Sequence, residues 1–321
     1  MRAFLIRRLT VTLLVVAGST LIVFVLTRIV PGDPIRTMLA AAQVADPALV
    51  AQYRRDFGLD QPMPVQYAHW VWKLANGDLG RSIQSREAVL TVLGRAFGAT
   101  FVLAMASMVL AVLIGVALGV TGAVLAVRKP RSILARTIGL APLALITIPP
   151  FSLGLFFIYL LAVQVPVFPP VGMHALRDDS VVDLLRHLAL PALTLAAAST
   201  GATARVARSA LVDILHEDYI RTAYAKGLPN AAVILRHALR NTLIPIVTNT
   251  GLMFGGMLSG AVLVESVFAW PGLGKLMVDA ILRRDYPVIE GVTLVVALSY
   301  VVVNLLVDVS YAFVDPRLRY G

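Results

Sequence analysis

The chain has 321 residues, 58% hydrophobic and only 14% charged, with a mean hydropathy of +0.82. Soluble domains carry about 25% charged residues, so this composition excludes an ordinary soluble globule and reads as a membrane protein. The formal net charge of +10 comes from basic residues scattered at the ends of apolar segments, not gathered in one stripe, so it implies topology determinants and no nucleic-acid partner. The absence of cysteine excludes disulfides, thiolate metal sites and cysteine nucleophiles.

Crossing a hydrocarbon core of about 30 Å takes about 20 helical residues. Six segments are long enough: 9–30, 99–127, 137–163, 188–210, 243–266 and 289–312. The first follows Met1-Arg2 and Arg7-Arg8 and has no Ala-x-Ala cleavage site, as suits an uncleaved anchor. Arg128, Lys129, Arg131 and Arg136 lie together between the second and third segments, and Arg205, Arg208, Arg221, Lys226, Arg236 and Arg240 surround the segment after the fourth. The 164–187 stretch instead carries Asp178, Asp179 and Asp183 against Arg177 and Arg186. The positive-inside rule then places the basic loops and both termini in the cytosol. The expected organisation is residues 1–30 (cytosolic end and first span), 31–98 (an external helical insert), 99–315 (a core of five spans with a cytosolic loop at 211–241) and a tail at 316–321.

The insert is punctuated like a set of helices. Asp46-Pro47 opens a run that Gly58 closes, Pro64 opens another that Gly77 closes, and Ser85 is placed to cap a third. Tyr67, Trp70, Val71 and Leu74 form an apolar face on the second run, with Trp70 and Trp72 expected at an interface. Pro149-Pro150 is expected to break the third span, and Pro245 to sit in the first turn of the fifth.

Ala, Thr, Ser and Gly dominate 191–207, and 248–260 is similarly small and polar. Small residues let helix backbones approach closely in lipid, and Gly115-x-x-x-Gly119 and Gly256-x-x-x-Gly260 are contact candidates. The same stretches offer Thr194, Ser199, Thr203, Thr248 and Asn249 as candidates for lining a translocation pathway, and the two readings are compatible. Arg28, Glu265, Asn304 and Asp308 fall near span ends, where snorkelling or capping suffices. None is the mid-membrane carboxylate a proton-driven carrier needs.

No phosphate loop is present: Gly274-Lys275 is followed by Leu276, and position 269 is Ala. The five histidines (His69, His174, His187, His216, His237) lack metal-ligand spacing, and no Gly-x-Ser-x-Gly elbow exists. The residues point to no catalytic set, no metal and no cofactor bound by this chain.

The most informative stretch is His216 to Gly227, between the fourth and fifth apolar segments. Asp218 is placed to cap a short helix, Gly227 to end it and Pro229 to prevent its continuation. Alanines alternate with Tyr219, Ile220 and Tyr224, giving a face suited to a protein groove. Arg221-Thr222-Ala223-x-x-x-Gly227, followed by Arg236-His237-Ala238-Leu239-Arg240-Asn241-x-x-Ile244-Pro245, resembles the coupling-loop motif of ABC importer permeases, and in its Arg221 and His237 the oligopeptide/dipeptide branch. Val30-Pro31-Gly32-Asp33-Pro34, Gly77-Asp78-Leu79-Gly80-Arg81-Ser82, Glu265 to Gly274 and Asp315 to Tyr320 are similar to the same branch in the same order.

The resemblance implies an all-α polytopic fold of the type I importer permease kind, with six transmembrane helices and an external insert after the first. It implies half of a peptide translocation pathway in a bacterial cytoplasmic membrane. The implied partners are a second homologous permease, two ATP-binding subunits carrying the ATP and magnesium, an external substrate-binding protein and membrane lipid. Glu217, Asp218, Tyr219, Ile220, Arg221, Thr222, Ala223, Tyr224, Lys226 and Gly227 are the implied ATPase-coupling residues, with Tyr219, Ile220 and Ala223 expected in the ATPase groove. The alternative is a secondary transporter or channel that works without an ATPase.

Overall fold

The computed structural model describes residues 2–29, 35, 39, 47–56, 58–175 and 180–314. The motifs at Val30–Pro34 and Asp315–Tyr320, and Asp178 and Asp179, lie outside them, as does the side chain of Asp308. The described residues form α1 (Arg2–Ile29), α2 (Pro47–Asp56), α3 (Met63–Ala75), α4 (Val89–Arg128), α5 (Ile133–Thr147), α6 (Pro150–Ile158), α7 (Val181–Leu215), α8 (Asp218–Ala225), α9 (Leu239–Gly260), α10 (Val262–Val267), α11 (Leu273–Arg283) and α12 (Tyr286–Val314). Among them, α4, α7 and α12 are each long and apolar enough to cross a membrane. The pair α5 and α6, continued to Gln164, makes a fourth if it counts as one span, and Leu14–Ile29 is a shorter apolar stretch. The fold is thus helical and polytopic, with three such helices among the described residues, or four with the bent pair, where the sequence implied six.

The chain divides into two compact units. The first comprises Met1–Thr100 and Pro271–Val301. Two insert helices form where proline and glycine punctuate the sequence: α2 opens on Pro47, and α3 follows Pro62 and is closed by Gly77 at φ 76°. Tyr67 and Trp70 of α3 pack on α1, Tyr67 edge-on to Phe24 at 5.1 Å and Trp70 at 6.2 Å, while Trp72 and also Val71, expected on the same apolar face, stay exposed. Ser85 caps no helix. Its hydroxyl accepts from Glu87 N within a tight turn, and α4 begins only at Val89. Val89 and Leu93 are buried with Leu273, Tyr286 and Val292, so α4 extends well before the expected start of the second span because its first turns belong to a packed core.

Two buried carboxylates tie this unit together. Asp285 accepts hydrogen bonds from the Ser82 hydroxyl, from Ile83 N (3.0 Å) and from Gln84 N (3.3 Å), pinning the 82–84 turn to the residue before α12. Arg28 pairs with Glu290 of α12, donates to Gln66 Oε1 of α3 (3.0 Å) and lies 3.5 Å over the Phe24 ring. Their side chains are only 12% and 3% exposed, so the expectation of an Arg28 that snorkels is corrected: it is enclosed and neutralised in place.

The second unit comprises Phe101–Trp270 and Val302–Gly321. Its axis is α7, started by Ser180, whose Oγ accepts from Asp183 N (3.2 Å). A Cβ added at Gly119 would lie 2.6 Å from Ala207 Cβ and one at Gly115 2.8 Å from Thr203 Cβ, so α4 meets α7 at backbone range. One at Gly201 would lie 2.4 Å from the Pro142 carbonyl of α5. Gly256 has no atom of the described residues within 4 Å of such a Cβ, so within the described chain no helix closes on that position.

Helix α5 ends at Thr147 and α6 restarts at Pro150 after a 103° bend, because Pro150 disfavours helical backbone at Pro149 and neither proline donates an N–H. Pro245 sits inside α9 and not in its first turn, since helix runs without a break from Asn230 through a wide turn at Val233–Ala238 into α9. Glu265, expected near a span end, is fully buried in α10.

Filling the α4–α7 contact tests this packing. Gly119→Val is expected to cost about 1–3 kcal/mol as overpacking, and Gly256→Ala to be neutral, in thermal unfolding of the detergent-solubilised protein. Glu290→Gln alone should destabilise more than the double change Arg28→Met/Glu290→Met, because the single change leaves a buried cation without its counter-charge.

Candidate functional site: a short helix seated on the end of α7

At Leu215 helix α7 stops. His216 takes the C-cap position, its Nδ1 donating to the Val212 carbonyl (2.7 Å), and its backbone N–H donates to Asp213 O (3.1 Å). Glu217 is extended and α8 begins at Asp218. Asp218 is therefore the first helical residue and not the cap. Its carboxylate still sits at the positive end of the helix dipole and accepts from Arg221 Nη1 (3.1 Å). At the other end Gly227 is left-handed (φ 77°), with Gly227 N donating to Tyr224 O (2.9 Å) and Leu228 N to Ala223 O (3.4 Å). A left-handed glycine followed by Pro229 ends the helix as the sequence implied.

The two faces of α8 are chemically opposite. Ile220 is 0% and Ala223 7% exposed, packed with Ala123 of α4, Leu211 of α7 and the buried Val233 and Ala238. The expectation that Ile220 and Ala223 enter a partner's groove is corrected: they face this chain's own core. In an eight-residue helix a three-residue step returns to the same side, so the buried pair fixes which residues point away. Those are Asp218, Tyr219, Arg221, Thr222 and Tyr224, all exposed, with Glu217, Lys226 and Gly227 exposed at the two ends. Tyr219 is additionally steadied by Asn241, whose Nδ2 donates to Tyr219 Oη (2.9 Å). The result is a rigid stub with an aromatic and charged outer surface, docked on the ends of α4 and α7.

The residues considered for a pathway are placed differently. Thr194, Ser199 and Thr203 are buried by the chain's own helices. Thr194 donates to the Leu190 carbonyl (2.8 Å), and Thr203 lies against Gly115. Close approach of a neighbouring helix is seen at Thr194, beside Gly154, and at Thr203, beside Gly115. Asn249 is half-buried, with Nδ2 on Met253 Sδ (3.2 Å), and the side chain of Thr248 lies outside the described residues. Glu290 and Asp285 were missed in the sequence. Their signal is a carboxylate in or beside the first turn of an apolar run, which is costly in lipid unless paired.

This architecture, long apolar helices with a short helix at the end of one of them, defines a polytopic membrane protein. Residues 115–320 match the family described as binding-protein-dependent transport system inner membrane component, and residues 1–104 match its N-terminal companion, the binding-protein-dependent transport system membrane component, N-terminal. The chain belongs to this family, the permease subunits of ABC importers, and is a multi-pass protein of the inner membrane whose partners include ATPase and substrate-binding components.

Among its relatives, the glutathione transport system permease protein GsiC of Pectobacterium atrosepticum is 42% identical over 309 residues, covering 96% of this chain and 95% of that one. GsiC of Salmonella typhimurium is 42% identical over the same length. The di/tripeptide transport system permease protein DppB of Pseudomonas aeruginosa is 39% identical over 339 residues, covering 100% and 99%. A chain of the inward-facing MetNI methionine ABC transporter shares the fold, with a TM-score of 0.57 at 18% identity over 70% of this chain and 97% of that one.

Replacing Ile220 by Ala removes most of the anchor and is expected to cost about 2–5 kcal/mol locally. Hydrogen exchange across 216–227 should then accelerate while α7 stays protected. Unchanged exchange would mean that α8 is held by something other than this seat.

Proposed function

We propose that this chain forms half of the translocation pathway of an ATP-driven importer of short peptides, and that α8 is its mechanical link to two ATPase subunits carrying ATP and magnesium. A second homologous permease completes the pathway, an external protein delivers substrate, and both termini lie in the cytosol. The observation that carries the coupling role is the two-faced build of α8. Burial of Ile220 and Ala223 welds it to α4 and α7, while Tyr219, Arg221 and Tyr224 are exposed on the side open to a groove on the ATPase. A helix this short, about 12 Å long, moves as one body when gripped. Movement of the ATPases would therefore pass into α7 without being absorbed by a floppy loop.

The peptide assignment is supported by relatives named for glutathione and for di- and tripeptides, each matched over nearly their full length. Asn249, half-buried on α9, is retained as a pathway-lining residue.

Ala223→Glu would bury a charge in this chain's own core, so it tests folding and not coupling. The outer face provides the clean test. Arg221→Glu combined with Lys226→Glu changes only exposed side chains. It is expected to leave insertion and thermal unfolding unchanged and to lower both uptake of glutathione or dialanine and substrate-stimulated ATP hydrolysis at least tenfold in reconstituted vesicles. Uptake at the wild-type rate would contradict the role of α8.

A further inference from the structure

The first unit holds a cavity of about 600 Å³ between α2, α3, the 78–86 turn and the start of α12. Its volume is in the range of sites that take small molecules. Its floor is the enclosed Arg28–Glu290 pair, and Trp70 and Tyr286 give it flat apolar walls. Among the described residues, the remaining charges that line it are not balanced. Arg55, Lys73, Arg81 and Arg86 stand against Asp56 and Asp78. Arg86 is engaged with Tyr53, and Arg81 reaches the Arg86 carbonyl (3.4 Å), while Asp78 receives Gly80 N (2.8 Å). The side chains of Arg55, Lys73 and Asp56 have no hydrogen-bond or ion-pair partner among the described residues. A lined, partly enclosed space with free cations in excess and one free carboxylate suits a ligand of complementary charge.

We infer that this cavity is a permease-borne binding site for a small zwitterion with surplus anionic charge. The ligand carries one ammonium group for Asp56 and carboxylates for Arg55 and Lys73, with its backbone against Trp70. On the reading that the chain imports short peptides, the ligand is an acidic peptide of two or three residues. Glutathione, with two carboxylates and one ammonium at neutral pH, has this charge pattern. A zwitterionic phospholipid headgroup has related chemistry, a phosphate and an ammonium, and the experiment separates the two sources. The Arg28–Glu290 pair has a structural part here: it supplies a polar floor of no net charge, so the cationic rim sets the preference.

The test uses the complete transporter complex, purified in detergent without its external binding protein and titrated calorimetrically with glutathione, dialanine, lysyl-lysine and glycerophosphoethanolamine. Saturable glutathione binding is expected, at least tenfold tighter than lysyl-lysine binding and weakening with added salt. Arg55→Glu/Lys73→Glu, which alters two exposed side chains, should weaken glutathione binding at least tenfold and leave complex assembly and basal ATP hydrolysis unchanged. The inference is overturned by a lack of saturable binding, by unchanged affinity in the double variant, or by tighter binding of glycerophosphoethanolamine, which would make the cavity a headgroup site. A complex that imports glutathione with its binding protein yet shows no such binding refutes the cavity and leaves the import reading intact. A complex that imports no short peptide refutes the import reading itself.

Discussion

The whole second unit depends on how closely three backbones approach along α7. In lipid, apolar side chains gain little by leaving one apolar surface for another, so helices associate through dispersion and close fit. Gly115 and Gly119 bring α4 onto Thr203 and Ala207, and Gly201 brings α7 onto the Pro142 carbonyl of α5. At these distances there is no room for a methyl group, and hence little slack for one helix to slide past its neighbour. That stiffness matters because α7 also ends in the segment that carries α8.

Two different problems are solved at the two ends of the sequence's polar budget. On α8, the seat is apolar and small, so the helix is held by packing while its outer face stays chemically free. In the first unit the ties are ionic. Asp285 gathers three donors from the 82–84 turn, and Glu290 meets Arg28. Carboxylates used this way fix position more than they add stability, since desolvating each ion offsets much of its attraction to the partner. The insert is thereby held in register with the start of α12, and the cavity lined by Trp70, Tyr286 and the basic rim exists because that register is fixed.

Much of this was legible in the residues. Proline and glycine marked α2, α3 and the end of α8 because those residues act through the local backbone, and Gly227 and Gly77 adopt the left-handed conformation their positions implied. The break at Pro149-Pro150 followed from the same local chemistry. What failed was whatever required knowing a neighbour. Ile220 and Ala223 look like docking residues on α8 taken alone, and only the approach of Ala123, Leu211, Val233 and Ala238 turns them inward. Arg28 reads as a snorkelling residue until Glu290, 262 positions away, is brought beside it. For Thr194 and Thr203, suited alike to a wet pathway and to a helix crossing, the glycines opposite add the crossing, and the two readings remain compatible. Pro245 suits the first turn of a helix, but the helix has already begun at Asn230.

Coupling requires that α8 be gripped from the cytosol by its outer face, and the cysteine-free sequence allows a direct measurement. Tyr224→Cys gives a single reporter on that face, to be labelled with a membrane-impermeant maleimide in sealed vesicles of either orientation. Labelling only from the cytosolic side, and its loss once the ATPase subunits are assembled, is the predicted result. Labelling from the external side, or equal labelling with and without the ATPases, would contradict it.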